Sequence, residues 1–205
     1  FTGTVTSTGN QVGGLIGANS SGSCSGTTMT SYATGTVSGN DKVGGLIGDM
    51  GCSTSRLTIS YSTATVSGHD NVGGAVGSLG GTVQFAYANS QITGSGTNIG
   101  GFAGIVTGVA PSISDVYAAV LLNAGGSNRG GLVGRNEKAI VRSVWDAQKS
   151  TVAAMCGTNV GGTGCDNAKG YTTANMKTLA TFTGNSWDFM TSLAKLRARE
   201  EIGRA

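Results

Sequence analysis

VGGLIG stands at residues 12–17 and again at 43–48, and VGGAVG (72–77), IGGFAG (99–104) and RGGLVG (129–134) are variants of the same string. Their first glycines, Gly13, Gly44, Gly73, Gly100 and Gly130, follow at steps of 31, 29, 27 and 30 residues. A second string precedes each copy: FTGTVT from Phe1, YATGTVS from Tyr32, YSTATVS from Tyr61, YANSQIT from Tyr87 and YAAVLLN from Tyr117, with Trp145 opening what would be a sixth. Self-similarity at such a period marks a repeat architecture, in which one unit cannot bury its apolar face alone and stacked neighbours can.

Each unit carries three short β-type segments: the stretch opened by the aromatic residue, the VGGLIG stretch, and a third such as LTISY (57–61) or IVRSV (140–144). Between them lie clusters of Gly, Asn and Asp, as at 39–41, 68–71 and 125–128, residues that tolerate positive φ or bond their own backbone. No stretch of the repeats shows a helical period. The fold expected is an all-β, parallel β-solenoid of about five coils with three short strands per coil and a small C-terminal cap. The glycine pairs read as places where strand backbones turn or lie close together. Phe1, Tyr32, Tyr61, Tyr87, Tyr117 and Trp145 are expected to form one structural column, with the tyrosines mostly buried. Within VGGLIG, strand alternation would put Leu15, Leu46, Ala75, Phe102 and Leu132 inside, because Arg129 interrupts the alternative row. The other row would then leave an apolar strip on the surface.

These strings resemble the GLUG repeat of bacterial surface and secreted proteins, among them adhesin-like and IgA-peptidase-type proteins. The stretch from Trp145 through TTANMKTLATFTGNSWDF (172–189) resembles the segment that ends such arrays, so the likeness covers about residues 1–189. It implies a β-solenoid stalk or adhesive module at the cell surface, and no catalytic site of its own. The stretch after Phe189 departs from that pattern.

The chain divides as repeats over 1–144, a capping segment over 145–190 and a charged tail over 191–205. In the cap, Thr172 begins a run that reads as a short helix to Leu179, and Phe182, Trp187 and Phe189 could close the open end of the core. The tail holds Lys195, Arg197, Arg199, Arg204, Glu200 and Glu201 and reads as a solvated helix or linker. Four cysteines suit two disulfides and an oxidising compartment. Cys24 and Cys52 lie 28 residues apart, close to one repeat, and should pair across adjacent coils; Cys156 and Cys165 bracket a glycine-rich loop and should staple it.

Composition narrows the function. Only 11% of the 205 residues are charged, the formal net charge is +3, and no basic stripe with interleaved aromatics appears, which argues against nucleic acid as a partner. No apolar run is long enough for a membrane-spanning helix. A single histidine, His69, leaves no Ser/His/Asp constellation and no zinc spacing, so neither an enzyme nor a cofactor is expected. Asp41 and Asp70 occupy equivalent turns, where they read as Asx turns rather than a calcium ladder, since copies four and five carry Asn98 and Asn128 there. An extracellular structural or adhesive module is the reading that remains, its partners other copies of itself, in an end-to-end filament or stalk, adjoining repeats of a longer surface protein, or a host or matrix surface. Thr4, Thr6, Thr36, Ser38, Thr65, Ser67 and Thr93 would form an aligned hydroxyl array on one face, which suggests ice binding as an alternative. Carbohydrate binding on outward-pointing tyrosines is a second.

Overall fold

A computed structural model describes residues 1–20, 25–108 and 112–188. Nearly every strand pairs in parallel with the strand one repeat away, and the chain winds as a β-solenoid whose coils carry three sheets. The widest has twelve strands and holds the aromatic-opened stretches, such as Tyr32–Ser38, together with the segments that lead into them, such as Arg56–Ser62. A five-stranded sheet runs from Val12–Gly13 to Ser127–Gly130, and a six-stranded sheet from Ile16–Ala18 to Cys156–Asn159.

VGGLIG is therefore two strands and a corner. Gly44 ends one strand and Ile47 begins the next, with Gly45 and Leu46 at the bend. This removes the choice posed by simple alternation. Leu46, Ala75, Phe102 and Leu132 are fully buried, as expected, whereas Leu15 of the first copy is 37% exposed; also fully buried are Val43, Val72 and Ile99 of the row set aside, together with Val76, Ala103 and Val133. The bend turns both rows inward, so no apolar strip is left outside. Arg129 takes the register position of Ile99 but swings out, and its guanidinium donates to Ala124 O at 2.9 Å.

The corner requires glycine because the two strands meet backbone to backbone. A Cβ on Gly44 would lie 2.7 Å from Ala75 O and from the amide nitrogen of Gly77 in the next coil; one on Gly73 would lie 2.7 Å from Gly104 N. The same pairing joins Gly13 to Gly48, Gly100 to Gly134 and Gly130 to Gly157. The first glycine of each motif thus faces the third glycine of the next, at distances no side chain fits.

Gly157 belongs to a sixth, incomplete coil. Met155 accepts the amides of Leu132 and Val133, and Cys156–Asn159 pairs with Val133–Asn136. Trp145 and Gly170–Tyr171 extend the widest sheet in the same way. The segment read as a cap is in part another turn of the solenoid. Helix α1 (Ala147–Ser150), capped by the buried Asp146, whose carboxylate accepts from Lys149 N at 2.7 Å, closes this end. The helix expected from Thr172 is shorter and broken: Thr172 Oγ1 accepts from Asn175 N, a 3₁₀ turn covers Asn175–Lys177, and α2 runs over Leu179–Thr183.

The cysteines fall as expected where they are described. Cys156 and Cys165 are bonded with Cα atoms 5.7 Å apart. Cys52 is disulfide-bonded, and its expected partner Cys24 lies outside the described residues. So do Phe189 and the tail at 191–205.

Gly104→Ala should destabilise the fold by about 3 kcal/mol, because a methyl must displace backbone atoms of another strand. Gly125→Ala, where nothing lies within 4 Å of the added carbon, should leave the thermal midpoint within a degree or two. Equal midpoints for the two variants would remove the close-approach explanation of the motif.

Candidate functional site

Along the widest sheet, inward and outward residues alternate. Ser62, Ala64 and Val66 point in and are buried; Tyr61, Thr63, Thr65 and Ser67 point out. Parallel register repeats this in every coil. Thr4 aligns with Thr36, Thr65, Gln91 and Leu121, and Thr6 with Ser38, Ser67, Thr93 and Asn123. The hydroxyl array expected from the sequence is thus brought together as two neighbouring rows, with Ser38 and Ser67 half-buried and the rest exposed. Parallel strands set the spacing at about 4.8 Å along the stack and about 6.6 Å between alternate residues of a strand.

The tyrosines form a third outward row, which corrects the expectation of a mostly buried column. Tyr61, Tyr87 and Tyr117 are half-buried, and Tyr32 is 46% exposed. Ring centroids lie 5.4, 4.9 and 4.8 Å apart from Tyr32 to Tyr117, with planes within 11° of parallel. At the upper end the edge of Phe182 meets Tyr117 at 5.6 Å, and Trp187 lies against both. From Tyr61 to Tyr117 each ring is covered by its neighbours, so these rings present edges and hydroxyls rather than open faces, and Tyr32 is stacked on Tyr61. A sugar ring needs an open face to stack on, which weighs against the carbohydrate reading.

Phe1 and Trp145 are not in this row. Tyr117 aligns with Val144, and Trp145 with Ala118, so Trp145 is fully buried on the inward side. Thr2 aligns with Thr34, which sets Phe1 beside Ala33. The two aromatics occupy the row that otherwise holds Ala33, Ser62, Ala88 and Ala118. Small residues fill it where coils lie on both sides, and large ones fill it at the two ends, where there is room.

Burial, and secondarily the neighbouring Tyr87, pushes the Tyr117 phenol up to about 12, and burial raises Tyr87 in the same direction. The folded state thus favours the neutral phenol.

The three rows themselves carry no charge on any of their fourteen residues. Lys149 of α1 reaches onto the face between the Tyr87 and Gln91 rows, donating to Asn89 Oδ1 and Ala119 O at 2.7 Å each, and pins the helix over the top of the sheet.

On the far side of the five-stranded sheet runs a ladder that sequence reasoning passed over as turn residues. Asn71 donates its amide to Asp41 Oδ1 (2.7 Å), Asn98 to Asn71 Oδ1 (2.9 Å), Asn128 to Asn98 Oδ1 (2.9 Å), and Thr158 closes it by donating to Asn128 Oδ1 (2.6 Å). The three asparagines also hold φ of +50°, +59° and +54°, which asparagine tolerates better than most residues. The signal was present, since Asn71, Asn98 and Asn128 stand directly before the motif in copies three to five. Asp41 and Asp70 are correspondingly not Asx turns: Asp41 accepts from the next coil, and Asp70 Oδ1 accepts from Thr97 N and Thr97 Oγ1 at 2.6 and 2.9 Å. The bond from the Thr97 backbone, and after it those from the Thr97 hydroxyl and His69, lower the Asp70 pKa.

Among the described residues, no group of three His, Cys, Asp or Glu side chains is placed to hold a metal ion, and no helix is long and apolar enough to cross a membrane. Comparison with family models, curated proteins and solved structures finds no match to this chain.

Asn98→Gly should lower stability by about 1–2 kcal/mol in chemical denaturation, because two ladder bonds are lost and the backbone relief does not offset them. The tyrosine stack makes an alkaline prediction. A phenol whose pKa is raised from about 10 stabilises the fold fully below that pH and loses its contribution as pH climbs towards about 12. The thermal midpoint should fall across that window, and Tyr117→Phe should flatten the fall. A phenolate absorbance titration completed near pH 10 for every tyrosine would overturn it.

Proposed function

We propose that this chain is an extracellular structural and adhesive β-solenoid module that holds neutral, ordered surfaces through the outward face of its widest sheet. The observation that carries the reading is the charge-free register of Tyr, Thr and Ser rows on that face. Ion pairing gives a charged surface its grip, and the three rows have none to offer. Hydroxyls and methyls repeated at strand spacing can instead match a regular neutral partner at many points, each contact weak. The GLUG-like strings and the disulfides support an extracellular setting.

One observation favours ice as the surface. The exposed Thr4, Thr36 and Thr65 align on successive coils beside Thr6, Ser38 and Ser67, giving paired hydroxyls at fixed spacings. The upper coils dilute this pattern with Gln91, Leu121 and Asn123, which favours a general adhesive role for the face as a whole.

Retention on ice and on particulate neutral polysaccharide should persist at 1 M salt, where charge-based binding is screened. The double variant Thr36→Lys, Thr65→Lys should lose retention at least tenfold while keeping its β-type circular dichroism. Salt-sensitive binding, or binding indifferent to the two lysines, would exclude the face. Thermal hysteresis in the parent chain, abolished in the variant, would single out ice.

A further inference from the structure

The tyrosine row sets four phenols in one line. Strand pairing places Tyr32 opposite Tyr61, Tyr61 opposite Tyr87 and Tyr87 opposite Tyr117, residue for residue. Ring centroids of the last two pairs lie 4.9 and 4.8 Å apart, with planes within 4° of parallel. Equivalent ring carbons of neighbouring coils therefore face one another at about the strand spacing of 4.8 Å, with their hydroxyls on the same side. Burial, and after it the neighbouring Tyr61, holds the Tyr87 phenol above its ordinary value, as expected of hydroxyls set side by side.

The three pairs are not equivalent. Tyr32 and Tyr61 are the most separated, at 5.4 Å and 11°. Tyr117 is stacked as closely on Tyr87 as Tyr61 is, but Phe182 and Trp187 close on it from the other side, which leaves its ring little room to tilt. Tyr61 and Tyr87 combine contact with access: both are half-buried, and both turn their edges to solvent.

We propose that Tyr61 and Tyr87 form a modification site for oxidative phenol coupling, which joins two coils by a carbon–carbon bond when the chain meets a one-electron oxidant of the peroxide class. Each phenol gives up one electron and its hydroxyl proton, leaving two phenoxyl radicals. Their unpaired spin is shared with the ring carbons next to the one that bears oxygen, and the two facing Cε atoms bond. Each of these carbons then loses its hydrogen as a proton while each oxygen regains one, which restores two aromatic phenols. In balance, one C–C bond forms, two C–H bonds break, two protons leave, and two electrons pass to the O–O bond of the peroxide. A tilt of two half-buried rings closes the remaining gap, and holding the partners in contact raises the rate far above that of encounters between separate chains. The bridge spans 26 residues of sequence and constrains the unfolded chain as a disulfide does. Oxidation thus locks the stack. This inference does not depend on what the outward face of the sheet binds.

The test exposes the 205-residue chain, dilute enough to keep molecules apart, to a photoexcited ruthenium tris-bipyridyl complex with persulfate as the peroxide. The single-chain mass should fall by two hydrogens, biphenol fluorescence should appear, and peptide mapping should join the Tyr61 and Tyr87 fragments. Tyr61→Phe and Tyr87→Phe keep the stacked ring but cannot form its phenoxyl radical. Each should lower the yield of bridged single chain about tenfold or more with unchanged circular dichroism, and the parent unfolded in urea should show a loss of similar size. A chain that gains no bridge, or bridges only to other chains, would overturn the proposal. So would a bridge mapped to another pair, or a yield equal in the folded and unfolded chain.

Discussion

The structure depends on backbone approaching backbone at the glycine corner. Where the first glycine of one motif faces the third glycine of the next, as Gly44 faces Gly77, two sheets are drawn closer than any side chain allows. That closeness narrows the coil at one corner and turns both aliphatic rows of the motif into the interior. It also explains why the first and third glycines persist in all five copies while the fourth residue of the motif varies among Leu, Ala and Phe and the fifth among Ile, Val and Ala. Those residues change interior volume, which neighbours can share; a Cβ in place of either glycine has nowhere to go.

Stacking at one strand spacing converts each repeated residue into a row, and chemistry decides what each row contributes. Asparagines bond amide to carbonyl up the stack and tie coils together. Tyrosines lie face to face, which shields their rings and raises the phenol of the most covered one. The threonines and serines aligned with Thr4 and Thr6 do neither, and remain available to whatever the face meets. Rows of charge would repel along their length, and the chain places ions off the rows, as pairs such as Arg142 with Asp115, where two bonds of the guanidinium meet a buried carboxylate.

Strain is also repeated. Thr30, Ile59, Phe85, Asp115 and Arg142 all hold φ between +46° and +54° at the bend before the tyrosine row. A β-branched residue such as Ile59 rarely adopts this conformation. It persists here because parallel pairing on both sides, Thr58 with Gln84 and Tyr61 with Tyr87, holds the bend in place.

The sequence by itself determined the repeat, the three strands of each coil, the parallel stacking and the alignment of Thr4, Thr36 and Thr65, because recurrence of the same two strings leaves equivalent residues no other register. It also determined the pairing of Cys156 with Cys165. Only the tertiary structure decided which way side chains face, since that turns on where the backbone bends. The corner at Gly45 and Leu46 cannot be told from a straight strand by alternation, so the second buried row was missed. A one-residue shift separates Trp145 from the tyrosine row, and it places that ring inside. The sixth coil was hidden because Met155, Cys156 and Gly157 share only their apolar character and the glycine with the motif, and it took the neighbouring strand's hydrogen bonds to reveal them as its equivalent.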